Sequence, residues 1–185
     1  MFYQIISFLL DVVTGLFGGA CLLRLYMQQQ RIGFANPLGR FVLALSNWLV
    51  LPLRRLLPGP LGGWDLSSAL AAFLLELAQF GLLWLLLGAH TSAAALPVLA
   101  LFGVLRLVIS GLTGLLIVYA ILSWVQTHSL LSDLIERLCA PPLAPVRRLV
   151  PLVGGLDLSP LVLLVLLQVA AIVLGSMQAS VLQLF

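Results

Sequence analysis

Four long apolar stretches dominate the chain, and polar residues are concentrated between them. The stretches cover about residues 5–26, 66–87, 96–124 and 160–181. A helix that crosses the hydrocarbon core of a bilayer needs roughly 20 mostly apolar residues. The pattern therefore predicts an all-α membrane protein with four transmembrane helices. The third stretch is long enough to tilt or to protrude from the membrane.

The connections between these spans differ in charge. The first and third connections carry all the loop arginines, namely Arg31, Arg40, Arg54, Arg55, Arg137, Arg147 and Arg148. The short connection at residues 88–95 has no arginine. Arginine-bearing loops usually stay on the cytoplasmic side. We therefore predict that both basic loops are cytoplasmic and that both termini lie on the non-cytoplasmic side.

Two short segments recur along the chain in the same order. Pro52-Leu-Arg-Arg-Leu-Leu-Pro58 returns as Pro145-Val-Arg-Arg-Leu-Val-Pro151, and we call these segments the arginine boxes. Gly62-Gly-Trp-Asp-Leu-Ser67 returns as Gly154-Gly-Leu-Asp-Leu-Ser159. Ordered self-similarity of this kind indicates a tandem duplication. We predict two copies of a helix–interfacial basic loop–helix unit, at residues 1–90 and 91–185, which share one orientation as a parallel repeat.

Composition supports the membrane assignment and limits the kinds of binding partner that are expected. Apolar residues make up 62% of the chain and charged residues only 8%, too few charges to coat a water-soluble domain. All nine basic residues are arginine, whose guanidinium binds phosphate through two parallel hydrogen bonds. Anionic lipid headgroups are therefore the expected contacts. Nucleic acid is not expected, because no basic surface with interleaved aromatic residues exists outside the spans.

The arginine boxes are the first candidate site. Their arginines, Arg54, Arg55, Arg147 and Arg148, are predicted to contact lipid phosphates or a membrane or cytoplasmic protein partner. The proline before each pair is expected to break the helix that precedes it.

Amphipathic segments lead into both boxes. In the second, Leu134, Ile135 and Leu138 form an apolar face opposite Asp133 and Glu136, which predicts a helix lying on the cytoplasmic leaflet. The equivalent segment of the first copy, residues 41–51, is more apolar. It is expected to carry Arg40 and Asn47 on a narrow polar stripe.

A second set of candidates stands at the entry to spans two and four: Asp65, Ser67, Asp157 and Ser159. Such side chains accept hydrogen bonds from the free amide groups of a helix start, and Pro160 suits the first turn of a helix. We therefore expect these residues to cap the two helices. A phosphate- or ion-binding nest formed by the neighbouring glycines is the alternative.

Ionisable side chains inside the spans form the third set: Asp11, Arg24, Glu76 and Arg106. Asp11 and Arg106 are expected to pair between spans one and three, and Arg24 to reach the interface or meet Asp65. The repeat aligns Glu76 with Gln168 at mid-membrane depth. An ionised glutamate there costs roughly 2.5–3.5 kcal/mol, so it requires a partner or a functional role such as an ion or proton pathway.

Taken together, these motifs resemble the YggT (YlmG) family of small integral membrane proteins. The resemblance rests on Asn36-Pro37, both arginine boxes, the segment 154–160 and Gln168. It implies a bacterial inner-membrane location and loose links to osmotic tolerance, cell division or membrane-complex assembly. The chain departs from the family pattern at Glu76, where the pattern has glutamine. The second copy also lacks the Asn-Pro pair.

The sequence contains no nucleophile–base pair, phosphate loop or metal motif, so we expect neither an enzyme nor a bound cofactor or metal. The preferred hypothesis is a non-enzymatic membrane protein that organises or assists other membrane components. The alternative is an ion channel, a transporter subunit or a modulator of ion homeostasis, built around Glu76. Small residues at Gly15, Gly19, Ser110 and Gly114 serve internal helix packing or, alternatively, homo-oligomerisation.

Overall fold

The computed structural model describes residues 2–56, 65–86, 92–125, 129–149 and 157–182, and within these ranges the secondary structure is helical, with no strand. The helices are α1 (Phe2–Gln29), α2 (Pro37–Leu56), α3 (Leu66–Leu86), α4 (Leu96–Val125), α5 (Leu130–Leu149) and α6 (Ser159–Leu182). Four of them, α1, α3, α4 and α6, are long and apolar enough to cross a membrane. This confirms the predicted fold class and the four predicted spans.

The chain divides into two compact units. One comprises Met1–Val108 together with Ser176–Phe185, and the other comprises Ile109–Gly175. These units divide the chain within α4 and α6, not between residues 90 and 91. The order long apolar helix, 20-residue amphipathic helix, long apolar helix nevertheless occurs twice along the chain. The duplication itself stays a prediction.

The core of the first unit lies where α1, α2 and α3 pack against one another. Cys21, Val50, Ala71 and Ala72 form its buried centre. Small side chains at these positions allow the helix backbones to approach closely. The start of α4 also joins this unit, because a Cβ atom at Gly18 would lie 2.7 Å from the Leu107 side chain.

A tight turn connects α1 to α2. Arg31 adopts a positive φ of 54°, and the Ile32 amide donates to the Met27 carbonyl at 2.9 Å, which closes the end of α1. Asn36 then caps α2, since its side-chain oxygen accepts from the Gly39 amide. Pro37 occupies the first helical position, where a missing amide hydrogen costs nothing. The Asn-Pro pair therefore has a structural role at the start of α2.

The expectation that proline breaks the helices before the arginine pairs is wrong. Pro52 lies inside α2, and Pro145 lies inside α5 together with Pro141 and Pro142. Both helices continue through these positions and include the arginines in their last turns. Proline removes only one intrahelical hydrogen bond, and in both helices the turns beside it are packed through Val50 or through Leu143 and Val146.

Candidate functional site at the arginine boxes

In the first unit, Asp65 lies at the centre of a charged cluster. Arg54, in the last turn of α2, forms a hydrogen-bonded ion pair with this carboxylate, which immediately precedes α3. The Ser68 hydroxyl donates to the same carboxylate oxygen at 2.8 Å. With its amide oriented to satisfy both neighbours, Gln28 donates to Asp65 at 3.1 Å and accepts from Arg54 at 2.9 Å. The end of α2 is thereby tied to α1 and to the start of α3.

Arg24 is the second guanidinium beside Asp65, and it is only 3% exposed. Its Nη1 atom donates to the Ser46 hydroxyl at 3.0 Å and to the Asn47 side-chain oxygen at 2.9 Å, both on α2. Its Nε atom lies 3.9 Å from the Asp65 carboxylate and has no hydrogen-bond partner within the described part of the chain. Arg24 therefore lies close to Asp65, as predicted, and its side chain is buried in the protein.

Electrostatics keep the Asp65 carboxylate ionised. Burial opposes ionisation, but the hydrogen bonds from Arg54 and Ser68 and the charges of Arg54 and Arg24 outweigh it and lower the pKa of Asp65. One carboxylate thus serves two guanidiniums. The cluster of Arg24, Arg54 and Asp65 carries an excess positive charge.

In the second unit, the corresponding cluster is smaller and more open. Arg147 Nε donates to the Asp157 carboxylate at 2.9 Å, and Arg147 Nη2 donates to the Tyr119 hydroxyl of α4 at 2.7 Å. The Arg147 and Asp157 side chains are 38% and 28% exposed. Burial again opposes ionisation, but the hydrogen bond from the Ser159 amide together with the hydrogen bond and charge of Arg147 lowers the pKa of Asp157. No second guanidinium joins this pair among the residues that the structure describes.

Each arginine box therefore contains two arginines with different environments. The first, Arg54 or Arg147, is held by the aspartate that precedes the next span. The second, Arg55 or Arg148, is exposed and forms no ion pair with any described residue. The boxes and the helix-entry aspartates, which the sequence suggests as separate sites, are thus two halves of one contact.

The predicted helix caps behave differently from one another. The Asp157 carboxylate accepts from the Ser159 amide at 2.9 Å, which is a capping hydrogen bond. The Asp65 carboxylate is occupied by side chains, while its backbone carbonyl accepts from the Ser68 amide at 3.0 Å. Ser67 is buried, and the buried Ser159 hydroxyl has no hydrogen-bond partner in the described ranges. The glycines of both segments lie outside the described residues.

The intramembrane charges form a pattern other than the one expected. Asp11 accepts a hydrogen bond from the Gln79 side chain of α3, and Arg106 donates to Gln178 of α6 at 2.8 Å. The expected Asp11–Arg106 ion pair therefore does not form, because each charge is paired with a glutamine on another helix.

Glu76 and Gln168, which the repeat aligns, differ in their burial. Glu76 is 5% exposed, whereas Gln168 is exposed on α6. The Glu76 carboxylate packs so closely against Gly103 of α4 that a Cβ atom at that glycine would overlap it. Glu76 is therefore the one member of the pair that is enclosed by protein.

Comparison with known sequences identifies the family. The sequence profile of the CCB3/YggT family matches residues 3–86 and 98–178. The chain belongs to this family. A YggT protein of Escherichia coli K12 is 36% identical over 170 residues, covering 89% of this chain and 86% of the relative. An uncharacterized protein of Vibrio alginolyticus is 35% identical over 172 residues, covering 91% and 92%.

A third relative, an uncharacterized protein of Pseudomonas aeruginosa, is 34% identical over 158 residues, covering 83% of this chain and 80% of its own length. No solved structure matches the chain. Membership in the CCB3/YggT family agrees with the resemblance inferred from the arginine boxes, and the names of these relatives assign no activity.

Several partners in these contacts were missed by reasoning from sequence. They are uncharged polar residues: Gln28, Ser46, Gln79, Tyr119 and Gln178. Each of these polar residues lies in an otherwise apolar or an amphipathic helix, and this isolation could have indicated that it has a partner. A buried polar side chain requires a hydrogen-bond partner, so an isolated glutamine or serine in such a helix predicts a charge facing it.

Proposed function

We propose that this chain is a non-enzymatic, multi-pass protein of the bacterial inner membrane that organises or assists other membrane components, in division, envelope or complex assembly. Both termini lie on the non-cytoplasmic side, and the two arginine boxes face the cytoplasm. The observation that carries the proposal is that all four arginines are exposed, and that in each box one is anchored by an aspartate and the other has no ion pair among the described residues.

The anchored arginines prepare the exposed ones for binding. Arg54 and Arg147 fix the last turns of α2 and α5 through Asp65 and Asp157. Arg55 and Arg148 are therefore presented on a rigid helix end, which lowers the entropy lost when they bind. Their ligand is an anionic lipid headgroup or an acidic surface of a membrane or cytoplasmic partner, since a guanidinium pairs with phosphate and carboxylate groups through two hydrogen bonds.

In-cell photocrosslinking tests this proposal. A photoreactive residue at Pro52 or Pro145 lies one helical turn before the exposed arginine, and both positions are exposed. We expect a specific protein product from each position, identified by mass spectrometry. Arg55→Ala should weaken the Pro52 product roughly fivefold, because one arginine at an anionic surface contributes about 1 kcal/mol. Arg148→Ala should do the same for the Pro145 product.

Arg40→Ala is the matched control for the first box, because Arg40 is an exposed arginine at the opposite end of α2. Its substitution should leave the Pro52 product unchanged. Products that consist only of self-crosslinks and lipid, from both positions, would reject the organising role and favour the second candidate.

That second candidate is an ion channel, a transporter subunit or a modulator of ion uptake. It is favoured by Glu76, a carboxylate only 5% exposed in a membrane-spanning helix, on which the charges of Arg106 and Asp11 act. No side chain in the described ranges donates a hydrogen bond to it. A carboxylate in such a position is available for a cation or a proton.

Glu76→Gln is the test of this candidate. It keeps the shape of the side chain and removes its charge, so it should abolish any ion flux while membrane expression stays normal. Glu136→Gln, at an exposed carboxylate of α5 outside the spans, is the control that should retain flux. Full complementation of a null strain by Glu76→Gln under osmotic challenge would reject the pathway and leave Glu76 as a packing contact.

A further inference from the structure

The outward face of α2 is apolar along its middle. From Phe41 to Leu53 every exposed side chain is apolar, and we call Phe41, Ala44, Trp48 and Leu51 the outer face of α2. Phe41 and Trp48 are 56% and 57% exposed and Leu51 is 49% exposed. Exposed arginines, Arg40 and Arg55, mark the two ends of this face. A contiguous apolar face of this kind requires an apolar contact.

The two uncharged polar side chains in the middle of α2 face the protein. Ser46 is fully buried and Asn47 is half-buried, and both accept hydrogen bonds from the buried Arg24. Of the expected polar stripe, Asn47 is therefore turned toward the protein, whereas Arg40 stays exposed near the start of the helix. This polarity is the reverse of that of a helix lying between a protein core and water.

Packing places the middle of α2 well below the ends of the neighbouring spans. Val50 packs with Ala72, which lies six residues after Leu66, the first residue of α3, or about 9 Å along that helix. The same cluster contains Cys21, eight residues or about 12 Å before Gln29, the last residue of α1. Half of a hydrocarbon core is about 15 Å thick. This part of α2 therefore packs inside the ends of two helices that are long enough to cross a membrane.

An aromatic contact agrees with this depth. The Trp48 ring packs edge-on against Phe17, near the middle of α1, with the ring centroids 5.6 Å apart. Trp48 nevertheless keeps more than half of its surface exposed. The open side of this indole belongs to the outer face of α2.

The equivalent helix of the second half, α5, buries apolar side chains and exposes charged ones, as a helix between a protein core and water does. It buries Leu134, Ile135, Leu138 and Cys139, whereas Asp133, Glu136 and Arg137 are exposed. Its thiol faces α4, because Cys139 Sγ lies 3.6 Å from the Leu115 carbonyl. The two helices have the same length and end in the same arginine pair, yet they present opposite surfaces.

We propose that α2 is embedded in the acyl-chain region of one leaflet and that its outer face binds lipid chains, whereas α5 lies at the aqueous surface. Arg40 and Arg55 are separated by fifteen residues, about 22 Å along the helix, and reach headgroup depth from both ends of the embedded segment. The inference concerns acyl chains and does not depend on what Arg55 and Arg148 bind.

Spin labels on matched alanines test the proposal. Ala44 of α2 and Ala140 of α5 are both exposed, and each is changed to cysteine in a chain carrying Cys21→Ala and Cys139→Ala. The protein is reconstituted in phosphatidylethanolamine–phosphatidylglycerol vesicles. We expect the label at Ala44 to collide with oxygen and to be at least about fivefold less accessible than the Ala140 label to a water-soluble nickel chelate, because hydrocarbon excludes polar solutes.

A second measurement keeps the native thiols. Cys21 and Cys139 are each 1% exposed, so a membrane-impermeant maleimide should modify Ala140→Cys and leave Ala44→Cys unmodified until detergent is added. Equal access of the nickel chelate to both labels would overturn the proposal by placing α2 in water. Protection of the Ala44 label from both oxygen and nickel would overturn it in favour of a protein covering the outer face of α2.

Discussion

Asp65→Asn is expected to cost about 3–5 kcal/mol of stability, whereas Asp157→Asn should cost less than about 1 kcal/mol. The first change removes the only carboxylate beside Arg24 among the described residues, and Arg24 is 3% exposed. Removing one partner of a buried ion pair leaves an uncompensated buried charge, which accounts for the larger figure. The Asp157 side chain is 28% exposed, so water and Tyr119 remain for Arg147 after that change.

Thermal or denaturant unfolding of the purified protein in one detergent measures both changes. The informative control is Arg24→Met combined with Asp65→Asn, which removes the buried charge together with its partner. The double variant should recover a large part of the loss, because an apolar replacement of a buried ion pair is often close to neutral. Equal and small losses for Asp65→Asn and Asp157→Asn would show that the Arg24 cluster is hydrated.

The spans could be predicted from the sequence because the physical requirement is simple. A transmembrane helix must be long and apolar, and α1, α3, α4 and α6 satisfy both conditions. The amphipathic helix α5 also follows from periodicity, since Leu134, Ile135 and Leu138 share a face at helical spacing and are buried. These features depend on local composition and on nothing farther along the chain.

The contacts of the arginine boxes depend on tertiary structure. Nothing in the spacing of Arg54 and Asp65 distinguishes an ion pair between them from a headgroup contact and a helix cap. The observed pairing arises because the start of α3 lies beside the end of α2. The repeat does carry one indication: an aspartate follows the first arginine of each box, eleven residues later in the first copy and ten residues later in the second.

The sequence also could not show which way the apolar face of α2 points, for a different reason. Periodicity shows which residues share a face, but it does not show whether the apolar face contacts protein or lipid. In a membrane both arrangements satisfy the apolar side chains. Arg24 determines the orientation of α2, because a buried guanidinium on α1 requires the polar side chains Ser46 and Asn47 to face it.

The close contact between α3 and α4 at Glu76 makes Gly103 sensitive to substitution. A Cβ atom at Gly103 would overlap the carboxylate of Glu76, so the end of a side chain that is only 5% exposed has to shift. Gly103→Ala is therefore expected to destabilise the protein by about 1–3 kcal/mol, the usual cost of overfilling a packed interior. Gly111→Ala, on the same helix with no atom within 4 Å of the new methyl group, should be neutral or slightly stabilising.

A double-mutant cycle separates steric overlap from a general effect on α4. Glu76→Ala removes the overlapping carboxylate, so adding Gly103→Ala to that variant should cost nothing or recover part of the lost packing. The coupling energy between the two positions should then reach about 1–3 kcal/mol, as for residues in direct contact. If Gly103→Ala is as harmless as Gly111→Ala in the presence of Glu76, the carboxylate has an alternative position. In that event α3 and α4 are not held together through this contact, and Glu76 is free to move as an ion pathway requires.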